Sequence, residues 1–108
     1  MSKLYTAVSA AVAWLDRHNG NGGPEIALRI LKVAEEAGEV AGAWIGLVGQ
    51  NPRKGVTHTS EDVAAELADV AFTALVAIES LGHDPAAEMR RCAAKVTARL
   101  IEPDGRAA

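Results

Sequence analysis

Five carboxylates stand at helical spacing within two otherwise apolar stretches of this 108-residue sequence. Glu35, Glu36 and Glu39 lie in the first stretch, and Glu66 and Asp69 lie in the second. Residues three or four positions apart share one face of an α-helix, so each group projects from one side of its helix. Like charges at this spacing repel one another, and a cation among them would relieve that repulsion.

The chemistry that this pattern favours is the binding of a hard cation. Magnesium takes oxygen ligands and commonly bridges a few carboxylates to substrate phosphates. The alternative is a solvated helix face, because glutamate forms helices well. However, the acids are interleaved with valine, leucine and isoleucine, and no lysine or arginine occurs from residue 34 to residue 50 to pair with them. The pattern therefore predicts a divalent metal site between two helices.

Glycine and proline divide the sequence into the four helices that must position these acids. We predict helices over residues 2–19, 24–48, 60–81 and 85–101. The chain is thus predicted to be a single all-α domain, a four-helix bundle-like module, over residues 1–101, with a flexible tail over residues 102–108. In the second helix, the apolar positions expected to face the core are Ile26, Ile30, Val33, Ala37, Val40, Trp44 and Leu47.

Composition and charge exclude several classes of function. The formal net charge of −3 argues against a protein that binds nucleic acid or an anionic membrane. The lone Cys92 cannot form an internal disulfide and is predicted to be a small buried hydrophobe, and a cytoplasmic location is expected. Helices rich in alanine also suggest that a partner subunit completes the burial.

Two further groups of residues have alternative interpretations. Trp14 and His18 lie four positions apart near the end of the first helix. Either Trp14 packs in the core and His18 is a polar helix-end residue, or both line a pocket for a flat ligand such as a nucleobase. In the connector over residues 49–60, Arg53 and Lys54 are either solvated or close over phosphates that the metal holds.

The two acidic motifs together resemble the signature of a known family. Glu35-Glu36-x-x-Glu39, a connector and Glu66-x-x-Asp69 are similar to the motifs of the all-α nucleoside triphosphate pyrophosphohydrolases of the MazG type. That family includes dimeric dUTPases, dCTP pyrophosphatases and phosphoribosyl-ATP pyrophosphatases. The resemblance covers the second and third helices, and it implies an all-α fold completed by oligomerisation as a homodimer or homotetramer.

The resemblance also implies a reaction and a role for each acid. The implied reaction hydrolyses a nucleoside triphosphate between its α and β phosphates to a monophosphate and pyrophosphate, as in housecleaning of the nucleotide pool. The implied ligands of Mg²⁺, which Mn²⁺ could replace, are Glu36, Glu39, Glu66 and Asp69. The implied catalytic residues are Glu35 and Glu36, with Glu35 as a further ligand or the group that orients water.

The residues that could contact the substrate complete the prediction. Trp14 and Trp44 are candidates to stack on the base, and Thr73 stands where some relatives carry an aromatic residue. Two alternatives remain: an enzyme acting on phosphoribosyl-ATP, and a non-catalytic helical oligomer that binds nucleotide or protein. The full set of candidate substrate-binding residues is Trp14, His18, Lys32, Trp44, Arg53, Lys54 and Thr73.

Overall fold

Four α-helices make up the computed structural model, which describes residues 2–101. They are α1 (Lys3–Asn19), α2 (Gly23–Val48), α3 (Ser60–Ser80) and α4 (Pro85–Arg99). The predicted all-α class and the order of four helices are confirmed, and every helix end lies within two residues of its predicted position. The predicted flexible tail, residues 102–108, lies outside the described residues.

Local sequence signals explain where the helices begin and end. The hydroxyl of Ser2 accepts a hydrogen bond from the backbone N–H of Leu4 and caps α1. Thr59 and Asp62 form a reciprocal capping box at the start of α3, which satisfies two backbone donors. Gly49 ends α2 with a φ of 65°, a left-handed conformation that only glycine adopts without strain.

The core forms where α3 packs against both α1 and α2. Its buried centre consists of two valines of α1, Val8 and Val12, and two residues of α3, Leu75 and Val76. Partly buried side chains surround this centre, and they include Tyr5, Leu15, Phe72 and Ile78. Because α3 is the helix shared by both contacts, it holds α1 and α2 in place on its two sides.

The face that α2 turns toward the core differs in part from the predicted one. Its buried or half-buried positions are Glu25, Ile26, Arg29, Val33, Glu36, Val40, Ala43, Gly46 and Leu47. Ile30, Ala37 and Trp44 were expected on this face, but they are exposed. The expected stripe drifted around the helix because alanine, glycine and large apolar residues occur on both sides of α2. A charged residue, Arg29, takes the position that Ile30 was expected to hold.

The fourth helix extends away from the other three. Pro85 is buried against the body of the protein, whereas every residue from Met89 to Ile101 is exposed. Cys92, which was predicted to be buried, is exposed for this reason. The radius of gyration is 17.7 Å, compared with about 13 Å for a compact domain of this size. Within the described residues, none of the helices combines the length and apolar character that a membrane span requires.

Candidate functional site

Three carboxylates from two helices meet where α2 packs against α3. Glu36 and Glu39 of α2 and Glu66 of α3 each offer an oxygen, and these oxygens all lie within 4.8 Å of one another. Glu36 and Glu66 are half-buried, and Glu39 is exposed. Asp69 is exposed one turn beyond Glu66, near enough for its charge to act on Glu36 and Glu66 but outside this cluster.

Helix geometry explains why these three residues come together. Glu36 lies on the face of α2 that contacts α3, between Val33 and Val40. Glu39 follows one turn later on the adjoining flank, so both carboxylates reach the groove between the helices. Glu66 occupies the facing position on α3, where the two helices are in contact along their length. The cluster is therefore a consequence of the main helix contact of the fold.

The carboxylates of the cluster perturb one another. Burial, and then the negative charge of Glu39, raise the pKa of Glu36 above its usual value. Burial, and then the contact with the Glu39 carboxyl group, raise the pKa of Glu66. The Oε2 atom of Glu66 is buried and has no hydrogen-bond partner among the described residues. Because buried polar atoms are usually paired, this oxygen fits a missing electropositive partner.

The donor set of the cluster matches a hard divalent cation. All three side chains offer carboxylate oxygens, which are the ligands that Mg²⁺ and Mn²⁺ prefer. Glu66 also carries the orphaned Oε2, and the side chains that cluster with it are acids. A divalent cation would satisfy that atom and offset the mutual repulsion of the acids. The residues present therefore fit the predicted metal.

Glu35 lies apart from the three clustered acids. Its carboxylate accepts a hydrogen bond from Nζ of Lys32, one turn earlier on α2, at 2.5 Å. Both side chains are more than half exposed. The hydrogen bond to Glu35 is the main cause of the raised pKa of Lys32, to which the charges of Glu36 and Glu39 add. The ammonium group of Lys32 thus lies at the edge of the carboxylate cluster.

A cavity of about 590 Å³ opens beside the carboxylates, between α1, α2 and α3. Its walls are largely apolar, with polar groups at a few points, as is usual in small-molecule sites. Trp14 contributes one wall, and its ring lies 4.2 Å from the ring of His18, centroid to centroid, at an angle of 48°. The lining residues from α2 and α3 include Leu28, Arg29, Lys32, Phe72, Thr73 and Val76.

Lys32 connects the cavity to the carboxylates. It lines the cavity and also binds Glu35, which precedes the two clustered acids of α2. On α3, Thr73 lines the cavity one turn after Asp69. The cavity and the cluster are thus consecutive along the same pair of helices. Trp14 is 54% exposed and lines this cavity, so it does not belong to the core, whereas His18 contacts Trp14 but is not among the lining residues.

The base of the cavity is held by Arg29, a residue that the sequence reasoning missed. Its side chain is 4% exposed and donates to Glu25 Oε2 at 2.8 Å and to Asp16 Oδ1 at 2.9 Å. It also donates to the backbone oxygen of Gly20 at 2.8 Å and to Ser80 Oγ at 3.1 Å. Arg29 therefore joins the ends of α1 and α3 to the start of α2. Arg29 lies four residues before Val33 and seven before Glu36, and this helical spacing was the signal in the sequence that could have placed it on the same face of α2.

The connector after α2 packs at the opposite end of that helix. Lys54 and His58 line a second, smaller cavity of about 200 Å³ with Gly42, Gly46 and neighbouring residues of the connector. His58 and the Thr57 hydroxyl lie so close to Gly46 that a side chain there would collide with them. Arg53 is exposed, and its backbone N–H donates to Asn51 Oδ1.

The structure thus divides the predicted site residues into separate groups. Glu36, Glu39 and Glu66 form the cluster, while Trp14, Lys32 and Thr73 line the adjacent cavity. His18 contacts Trp14, whereas Trp44 is exposed and lines neither this cavity nor the one at the connector. Arg53 and Lys54 lie with the connector.

No protein-family model, curated protein or solved structure matches this chain.

Proposed function

We propose that this chain is a magnesium-dependent nucleoside triphosphate pyrophosphohydrolase of the MazG-like type. The observation that carries the proposal is the meeting of Glu36, Glu39 and Glu66, with one orphaned buried oxygen, beside a cavity of nucleotide size. The proposed reaction breaks the bond between the α and β phosphates and releases a nucleoside monophosphate and pyrophosphate. The proposed role is the removal of unwanted nucleotides in the cytoplasm.

The proposal assigns separate tasks to the acids. Glu36, Glu39 and Glu66 hold the metal, and Asp69 completes the set from the next turn of α3. A bound Mg²⁺ supplies charge neutralisation of the phosphate oxygens and a lower pKa for the attacking water. Glu35 remains outside the cluster, and we assign it the task of accepting the proton of that water. Lys32, which forms an ion pair with Glu35, is proposed to supply a cation beside the reacting phosphates.

The cavity is the proposed place for the nucleoside. Its volume of about 590 Å³ lies within the range of small-molecule sites. Trp14 supplies an aromatic face on which a base can stack, and the ring of His18 contacts the ring of Trp14. A nucleotide with its base against Trp14 extends its phosphates past Lys32 toward the carboxylates. This orientation uses the order of the groups along α2.

The remaining parts of the proposal concern assembly and the outer residues. We propose a homodimer or homotetramer, since the isolated chain leaves one side of α2 and most of α4 exposed. Arg53 and Lys54 are proposed to approach the outer phosphates through movement of the connector. Trp44 is proposed to contact substrate at a site near a subunit interface, because it lies outside the cavity.

Paired glutamine substitutions test the site. Glu39→Gln removes a charged ligand while keeping the shape of the side chain, and it is expected to lower kcat/KM on the order of 100-fold or more. Glu61→Gln is the matched control, because Glu61 is an exposed acid in the first turn of α3, away from the cluster. Equal rates for the two variants, with unchanged helicity, would refute the assigned site.

A further inference from the structure

One face of α2 carries an apolar seam of exposed residues, of which Ile45 also lines the small cavity at the connector. Its members follow alternating steps of four and three, which is the a and d pattern of a helix that packs along another helix. All seven are exposed. The seam consists of Ala27, Leu31, Ala34, Gly38, Ala41, Ile45 and Val48.

The seam lies opposite the face that α2 uses within the chain. At 100° per residue, its members centre about 140° from the positions that contact α3. Leu31 is 62% exposed, Ile45 48% and Val48 53%. Neighbouring apolar side chains on either flank are also exposed, namely Leu28, Ile30 and Trp44. An exposed apolar patch of this length marks an interaction surface.

The seam supplies a substantial share of the apolar surface that a stable interface needs. The chain has 7482 Å² of accessible surface, whereas a folded monomer of this mass exposes about 5,700 Å². Each large apolar side chain of the seam and its flanks has roughly 100 Å² to bury. Leu31, Ile45, Val48 and the flanking Ile30 supply about 400 Å² before the alanines are counted, about half of the ~800 Å² per partner of a standard interface.

The order of residues along the seam identifies the partner as a second copy. Read outward from Gly38, the seam has Ala34 and Ala41 at four and three residues, then Leu31 and Ile45 at seven residues on each side. A two-fold interface requires such self-complementarity, because residue i contacts residue j and residue j contacts residue i. The small central residues allow close approach, and a Cβ built at Gly38 meets no atom within 4 Å.

We propose that two copies of this chain pack antiparallel along this seam, about a two-fold axis at Gly38. Leu31 of each copy then packs against the partner's Ile45, and large side chains close both ends of a centre made of alanine and glycine. The proposal identifies a surface and a register, and it does not depend on the proposed reaction. Glu35 and Glu39 lie about 90° and 130° around α2 from the centre of the seam, so each copy keeps its carboxylates beside the partner helix and not beneath it.

Cysteine cross-linking tests both the surface and the register. In a background with Cys92→Ser, three variants are oxidised without nucleotide or metal: Leu31→Cys, Ile45→Cys and the double variant. The antiparallel register places position 31 of one copy within disulfide reach of position 45 of the other. The double variant is therefore expected to run mostly as a covalent dimer, and each single variant mostly as a monomer on a denaturing gel.

Two controls keep the test decisive. Leu67→Cys places a thiol at a similarly exposed leucine of α3, and it is expected to stay unlinked. Wild-type protein is expected to sediment as a dimer or larger under the same conditions. Failure of the double variant to cross-link overturns the interface, as does a monomeric wild type. Efficient cross-linking of either single variant with itself overturns the antiparallel register.

Discussion

Replacing Arg29 by methionine tests whether one buried cation holds α1, α2 and α3 in their arrangement. The guanidinium donates to two carboxylates, Glu25 and Asp16, and to a hydroxyl and a backbone oxygen at the ends of α1 and α3. Methionine has similar length and helix propensity, so the change removes the polar contacts with little effect on α2 itself. We expect a large loss of stability.

The magnitude follows from the burial of the partners. Removing one partner of a buried ion pair costs about 3 to 5 kcal/mol, because the other charge is left without compensation. The side chain of Glu25 is 15% exposed, whereas that of Asp16 is 36% exposed and can regain water. The lower end of the range applies, and we expect a loss of about 3 kcal/mol in the free energy of unfolding. At 4 to 8 °C per kcal/mol, Tm falls by about 12 to 24 °C.

Urea and thermal unfolding at one fixed protein concentration measure this loss, since stability depends on concentration in an oligomer. Arg17→Met is the matched control, because Arg17 is an exposed residue in the last turn of α1. The control is expected to change stability by no more than about 0.5 kcal/mol. A loss below about 1 kcal/mol for Arg29→Met would show that the network does not hold the three helices.

Three further predictions concern the acids, the connector and the cavity. Because burial raises the pKa values of Glu36 and Glu66, the folded state holds their protons more tightly than the unfolded state does. The stability of the metal-free protein should therefore fall as pH rises above 4.5. Unfolding measured as a function of pH in the presence of chelator tests this, and Glu66→Gln should reduce the slope. Gly46→Ala should cost about 1 to 3 kcal/mol in urea unfolding, since His58 occupies the space, and an unchanged midpoint would contradict this packing. Trp14→Ala should raise KM for a nucleoside triphosphate roughly tenfold through lost stacking, and an unchanged KM would remove the base from this cavity.

Much of the fold could be predicted from the sequence because the helix ends carry strong local signals. Gly49 and the pair Asp84-Pro85 end or begin a helix whatever the helix packs against, and in the structure α2 ends just before Gly49 and α4 begins at Pro85. The meeting of Glu36 with Glu66 was also predictable, since two long helices with acids near apolar positions place those acids in one groove.

The errors have a different origin. Alanine and glycine occur all around α2, so periodicity alone does not distinguish its core face from its seam, and Trp44 was placed on the wrong side. Besides Glu25 of its own helix, Arg29 depends on partners at the ends of α1 and α3, which no local pattern within α2 contains. Cys92 was expected to be buried because a small thiol usually is, but α4 leaves the body of the protein before that residue.

The products formed from a panel of nucleoside triphosphates test the central claim most directly. Canonical, deoxy and modified nucleotides are incubated with the protein in the presence of Mg²⁺, and then with chelator, and the phosphorus-containing products are separated. We predict a monophosphate and pyrophosphate in equal amounts, only when Mg²⁺ is present. A diphosphate with inorganic phosphate would contradict the assigned bond, and no turnover of any nucleotide would contradict the proposed enzyme.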